Sequence, residues 1–259
     1  MLVNTDGYIR KGLPTKVTVA TAPVISSISV LSNNGTLGGL GNTQGGDLLS
    51  IVGFHLVEQS EISTTIVRVF TGAYSCTVIP PVLATLIRCE IQAGSGQGLP
   101  VVVQSVVHLT DRRRWISALL MDNISQFSYT YSSPSLSPNS LRLQPADDQP
   151  LGDIVGTRLE GDVLGISGTN FGNNASVVSV IYENENSRLF CSVLTVNHTF
   201  LTCKTSLGKG DNFRISVIVD GLVSKFTETN RFHYPARPNI LAIVGKNYTV
   251  TVFFGSFHH

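Results

Sequence analysis

One pattern occurs twice in this chain, and the repeat limits what the chain can fold into. Gly46-Asp47-Leu48-Leu49-Ser50-Ile51-Val52-Gly53-Phe54 returns as Gly161-Asp162-Val163-Leu164-Gly165-Ile166-Ser167-Gly168-Thr169, an offset of 115 residues. The same offset carries Cys76 onto Cys191 and brings Cys89 to within one residue of Cys203. Gly94-Ser95-Gly96 is echoed by Gly208-Lys209-Gly210, and Phe127-Ser128-Tyr129 by Phe232-His233-Tyr234. A period above about 50 residues is too long for a solenoid unit and suits whole domains in series. The 259 residues agree with two cores, since one core commonly serves roughly 100–150 residues. Arrays of this kind bind or hold rather than catalyse.

Charged residues make up 14% of the chain, against about 25% in an ordinary soluble domain. Ser, Thr, Val, Ile and Gly fill the gap. β-Branched side chains are stiff at χ1 and fit a pleated surface, so the composition reads as all-β. A net charge of +1 provides no global attraction to nucleic acid or to an acidic membrane. No segment has the roughly 18–20 apolar residues that a bilayer span requires.

Short β-rich runs bounded by Gly, Asn, Asp and Pro mark the strands. In the first repeat they are Val24–Leu31, Asp47–Gly53, Thr64–Phe70, Ser75–Ile79, Leu86–Ile91, Leu99–Leu109 and Phe127–Tyr131. In the second they are Ser140–Gln144, Asp162–Gly168, Val177–Tyr182, Phe190–Thr195, Phe200–Lys204, Phe213–Asp220 and Arg231–Tyr234. About seven short strands per hundred residues is the arithmetic of an immunoglobulin-like sandwich. The expected domains are 23–132 and 133–236, joined at Ser132-Ser133-Pro134, a short proline-bearing linker that limits the angle between neighbours. Residues 1–22 read as the end of a preceding unit. Pro238-Asn239-Ile240 resembles the openings Pro23-Val24-Ile25 and Pro134-Ser135-Leu136, so 237–259 reads as the start of a third. The N-terminus lacks the basic and apolar regions of a signal peptide, and both ends read as cuts in a longer array.

Each repeat holds two cysteines flanking a predicted hairpin, Cys76 with Cys89 and Cys191 with Cys203. Bridges there would close short loops in an oxidising compartment, each worth roughly 3 kcal/mol. Buried free thiols are the alternative. Zinc is disfavoured, because no Cys-x-x-Cys or His partner has the usual spacing. Five Asn-x-Ser/Thr sequons, at Asn34, Asn123, Asn174, Asn197 and Asn247, all fall in predicted turns or loops. A glycan there would project into solvent, although Asn favours turns in any case.

Both repeats resemble the IPT/TIG domain family, the immunoglobulin-like fold of plexins, some transcription factors and many adhesion proteins. Gly161-Asp162-Val163-Leu164-Gly165-Ile166-Ser167-Gly168-Thr169-Asn170-Phe171-Gly172 is similar to the family's early strand and Gly-x-Asn-Phe turn. The paired cysteines follow, then a small-residue turn at Gly208–Asp211, the strand Ile215–Val219, and the closing Phe232-His233-Tyr234-Pro235. The resemblance covers roughly residues 23–235. It implies tandem IPT/TIG-type β-sandwiches with partial units at both ends. In the first repeat Gly53-Phe54-His55-Leu56 replaces the Gly-x-Asn-Phe turn, so a differently shaped loop is expected there.

No catalytic constellation is visible. His55, His108, His198, His233, His258 and His259 are scattered, and none is placed beside a nucleophile and an orienting acid. Gly38-Gly39-Leu40-Gly41 and Gly94-Ser95-Gly96-Gln97-Gly98 read as turns, the second lying between predicted strands with no helix to receive a phosphate. Asp147, Asp148 and Asp153 lack a recognised calcium spacing and read as a solvated loop. One insertion breaks the repeat: Val103 to Tyr129 is nine residues longer than Val217 to Tyr234. It carries Arg112-Arg113-Arg114-Trp115, followed by the largely apolar Ile116–Met121. An extended hairpin with Arg and Trp at its tip suits a contact hot spot, while packing on its own domain is the plainer role.

These observations lead to the expectation of a non-enzymatic fragment of an extracellular or cell-surface array, serving adhesion or structure. Its partner would be a protein, homophilic or a neighbouring copy in a filament, with N-glycans on its surface. No cofactor, nucleic-acid partner or membrane insertion is expected. A carbohydrate-binding accessory module and an intracellular transcription-factor-type domain are the alternatives. A single Trp and a lone basic run speak against each in turn.

Overall fold

The computed structural model describes residues 23–31, 40–57, 63–111, 114–121, 126–144 and 152–236. The partial units expected at 1–22 and 237–259 lie outside these residues. The chain forms two compact units. Both are all-β, and among the described residues the sole helical element is a single 3-10 turn at Ala175–Val177.

In the first unit the strands are β1 (Val24–Leu31), β2 (Leu48–Phe54), β3 (Ser63–Thr71), β4 (Tyr74–Leu83), β5 (Leu86–Ile91), β6 (Leu99–Asp111), β7 (Arg114–Met121) and β8 (Ser128–Tyr129). They form one antiparallel sheet in the order β1-β2-β5-β4-β3-β6-β7, with β8 on β6. Alternation decides which face is buried. On β5, Ile87, Cys89 and Ile91 point inward, while Arg88 and Glu90 face solvent. Leu49, Ile51, Val69, Val101, Val103 and Tyr129 complete the core.

The second unit takes in Leu40–Gly45 and Ala93–Gln97 as well as the chain from Thr130 onward. Its strands are β9 (Ser135–Leu136), β10 (Arg142–Gln144), β11 (Asp153–Val155), β12 (Val163–Thr169), β13 (Val178–Glu183), β14 (Arg188–Val196), β15 (Phe200–Thr205), β16 (Phe213–Val219), β17 (Leu222–Val223) and β18 (Arg231–His233). The sheet runs β10-β12-β15-β14-β13-β16-β18-β11, with β17 on β16 and β9 on β12. The pairing is antiparallel except where β11 joins β18. The sheet curls around Leu141, Ile154, Leu164, Ile166, Val217 and a group of aromatic rings. Tyr182 meets Phe213 edge-on at 5.4 Å and Phe232 at 5.8 Å, and Phe232 meets Tyr234 at 5.1 Å. The two hydroxyls in this apolar cluster satisfy each other: Tyr182 and Tyr234 stand 2.6 Å apart, and Tyr234 donates to the Ser206 carbonyl at 2.5 Å.

The repeated residues do the same physical work in both units. Gly46 and Gly161 adopt φ of 86° and 113°, conformations open mainly to glycine. The aspartates that follow are buried. Asp47 accepts from the Tyr129 hydroxyl at 3.1 Å, and Asp162 from Thr157 N at 2.9 Å, Thr157 Oγ1 at 2.6 Å and Arg158 N at 3.1 Å. Their carbonyls receive Ile91 N and Thr205 N, both at 2.9 Å. At the far end of each strand, a Cβ on Gly53 would lie 2.1 Å from the Val24 carbonyl, and one on Gly168 would lie 2.1 Å from that of Ser135.

The turn that follows corrects an expectation. Gly53-Phe54-His55-Leu56 departs from its counterpart in sequence but not in shape. His55 takes φ 55° and Asn170 takes φ 62°. Leu56 and Phe171 are both fully buried. Gly53 N and Leu56 N reach the Thr85 and Ala84 carbonyls, as Gly168 N and Phe171 N reach those of Thr199 and His198. These backbone bonds, together with an apolar plug, impose the turn. His is also among the residues enriched at positive φ.

Gly168→Ala should therefore cost about 3 kcal/mol, at the top of the overpacking range, because a carbonyl held in a sheet cannot step aside. Gly98→Ala, with open space around the new Cβ but φ of 61°, should cost only about 1–2 kcal/mol. Urea unfolding of the two variants checks this; equal midpoints would contradict the close approach at Gly168.

Candidate functional site

The four cysteines form two bridges. Cys76 on β4 joins Cys89 on β5, and Cys191 on β14 joins Cys203 on β15, each with a Cα–Cα distance of 5.4 Å. The bridges run diagonally between strands. Cys76 stands opposite Ile91 and Cys89 opposite Val78, as Cys191 stands opposite Thr205 and Cys203 opposite Val193. All four sulfur-bearing residues lie in the cores. Among the described residues no group of His, Cys, Asp and Glu is arranged to hold a metal ion. No helix there is long and apolar enough to cross a membrane.

Two of the sequons are described, and both are exposed turns. Asn174 caps the 3-10 turn, and its Oδ1 accepts from Ser176 N at 3.0 Å and Ser176 Oγ at 2.8 Å. Asn197, at the β14–β15 turn, accepts through Oδ1 from Thr199 N at 3.0 Å, Thr199 Oγ1 at 3.2 Å and Phe200 N at 2.8 Å. In each case the hydroxyl of the third sequon residue donates to Oδ1, and the asparagine itself is exposed. Asn34, Asn123 and Asn247 lie outside the described residues.

The insertion in the first repeat forms a hairpin. β6 pairs with β7 from Gln104↔Met121 to Asp111↔Arg114, which brings Trp115 opposite Thr110. Arg112 and Arg113, the two residues between the strands, lie outside the described residues. β7 ends the sheet, with β6 as its sole strand neighbour among the described residues.

Among the described residues the histidines stay apart. His55 occupies its left-handed turn and His108 sits in β6 opposite Thr64 and Ser117. His233 accepts from Asn212 N at 3.0 Å through Nδ1, so Nε2 carries the proton and donates to Asp153 Oδ1 at 2.7 Å. Asp153 lies in a strand rather than a loop: it opens β11, paired in parallel with Arg231, and its side chain remains exposed to solvent. A strand of three residues is too short to show an alternation. Asp147, Asp148, His258 and His259 lie outside the described residues. Among the described residues, His198 is the histidine with a perturbed environment. Its Nδ1 stands 3.1 Å from the hydroxyl of buried Thr43, and desolvation by burial holds its pKa below the ordinary 6.5.

One concavity had no counterpart among the sequence expectations. Glu183, Asn184, Glu185, Asn186, Asp211, Asn212, Arg214 and Phe226 enclose a volume of about 430 Å³ at one end of β13 and β16. Three separate chain segments meet there, so no local spacing marks it. Its sole local trace is the polar run Glu183–Asn186, which reads as a turn.

The lowered pKa of His198 makes the second unit acid-sensitive. The folded state prefers the neutral ring, so its stability is complete above the unfolded pKa and falls as the pH drops through the lowered value. The unfolding midpoint should decrease between about pH 7.5 and about pH 5, and His198→Gln should reduce that decrease. Urea titrations at the two pH values check it, and an identical decrease in both proteins would contradict the assignment.

The IPT/TIG domain family matches residues 23–107 and 156–234, more than half of the chain. Solved structures share lower similarity. The plexin A4 full extracellular region is 18% identical over 88% of this chain and 20% of its own, with a TM-score of 0.29. The surface glycan-binding protein PbSGBP-B from Prevotella bryantii is 10% identical over 81% of this chain and 42% of its own, with a TM-score of 0.41. Domains 5–6 of the S-layer protein SbsC are 10% identical over 83% of this chain and 100% of their own, with a TM-score of 0.22. The chain thus spans about a fifth of the plexin A4 region. No curated protein matches. With two matched segments, each built on the same Gly-Asp strand and bridged hairpin, the chain belongs to the IPT/TIG domain family.

Proposed function

We propose that this chain is a stretch of a non-enzymatic extracellular or cell-surface array, and that it works through protein–protein contacts in adhesion or structure. IPT/TIG domains are a non-catalytic, immunoglobulin-like family. The observation that carries the reading is that each of the two units is closed by its own disulfide. Such bridges persist in oxidising compartments and are reduced in the cytosol. The sequon turns at Asn174 and Asn197 add exposed acceptor amides suited to N-glycans. Domains 23–132 and 133–236 would be the repeating units.

The contact is assigned to the β6–β7 hairpin. An edge strand offers a row of backbone donors and acceptors to a further strand. β7 places no charged residue between Trp115 and Met121, so nothing in its sequence blocks such pairing. In the sequence between β6 and the start of β7, Arg112, Arg113, Arg114 and Trp115 supply the two residue types that dominate interface energetics. A second copy of the chain is the simplest partner.

Sedimentation of the full chain should reveal self-association that weakens about tenfold or more with Trp115→Ala and with Arg114→Ala, equivalent to about 1.4 kcal/mol. A monomer at all concentrations, or undiminished association in both variants, would contradict the homophilic contact.

A further inference from the structure

We infer that the concavity on the second unit is a binding site for a neutral saccharide. This is independent of the adhesion reading, because it rests on a different unit and on different residues. The floor is the cross-strand pair Glu183 and Arg214. One wall is the β13–β14 turn, which Asn184 stiffens by accepting from Asn186 N at 3.0 Å and Ser187 N at 2.8 Å. The same side chain donates through Nδ2 to the Asp211 carbonyl at 2.9 Å and ties that turn to the loop before β16. Phe226, 44% exposed, contributes the opposing wall. The turn and the Asp211 loop are therefore tied together before any ligand arrives, which lowers the ordering cost of binding.

The uncommitted groups indicate the ligand class. Glu183 meets Arg188 at 3.6 Å. Glu185, Asp211 and Arg214 make no ion pair among the described residues. Carboxylates accept hydrogen bonds and a guanidinium donates them, so donors and acceptors converge in one space. An exposed aromatic face beside them offers an apolar surface for C–H groups. Vicinal hydroxyls on a ring with one apolar face match that set, since each hydroxyl both donates and accepts. An anionic sugar would meet the excess of carboxylates over Arg214, and a simple cation would leave Arg214 unpaired beside it. The volume of about 430 Å³ falls in the range of small-molecule sites, about 300–1,000 Å³.

Saturation-transfer NMR on the full chain tests this with cellobiose, maltose, lactose and N,N′-diacetylchitobiose, and with a heparin disaccharide as the anionic control. Transfer from at least one neutral sugar is expected, with affinity about tenfold weaker or worse in Phe226→Ala and in Glu185→Ala. Both positions are exposed, and circular dichroism confirms that each variant folds. Three outcomes would overturn the inference: no transfer from any neutral disaccharide, stronger transfer from the heparin disaccharide, or unchanged affinity in both variants.

Discussion

Each unit depends on a backbone lying against a backbone. Gly53 and Gly168 let one strand pass so close to a neighbouring carbonyl that no side chain would fit, with 2.1 Å left for a Cβ in both places. Gly161 repeats the approach at the other end of its strand, 2.1 Å from the Thr205 carbonyl. These contacts mark the end of β2 and both ends of β12. The buried aspartates Asp47 and Asp162 then use the turn entering each strand as a hydrogen-bonding anchor. A buried carboxylate is tolerable only with its acceptor capacity filled, so the loop around it must adopt one shape. The apolar plugs Leu56 and Phe171 close the other end. The cores and the disulfide-bearing strands are assembled around this frame.

Much of the fold was legible because the determinants are local and repeated. A glycine forced to positive φ, an aspartate after it and alternating apolar residues all leave marks at fixed spacing. The pieces that were not legible lack a local signature. β9, β11 and β17 contain two or three residues each, fewer than an alternation needs. Asp153 illustrates the result: it reads as loop, whereas it opens a strand paired in parallel with β18 and, still exposed, meets His233. The Leu56 turn is hard to read for the opposite reason. Its side chains differ from those of the second repeat, but the backbone bonds and the buried plug that shape it are the same. For the sites, the cysteine pairing could be framed from spacing around a hairpin. The concavity could not, because Glu183, Asp211 and Phe226 are brought together only by the curl of the sheet.

The division of labour between frame and surface follows from these constraints. Residues that hold the two units in shape are buried and internally satisfied, so they are poor candidates for recognition. The contacts proposed above use features that the repeat does not require: the insertion that creates β6–β7 and the walls around Phe226. A disulfide-closed sandwich suits this arrangement, since covalent closure of the central hairpin limits local opening while the loops remain free to vary. One family fold can therefore serve different binding tasks without alteration of its frame.

The location of the chain outside the cell is the premise on which the array reading stands. Intact mass of the natively produced protein, alkylated without reductant and compared with and without glycosidase, tests it most directly. No alkylation and a glycan-sized mass loss are expected. Four alkylated thiols and no glycan would contradict both the bridged hairpins and the extracellular assignment.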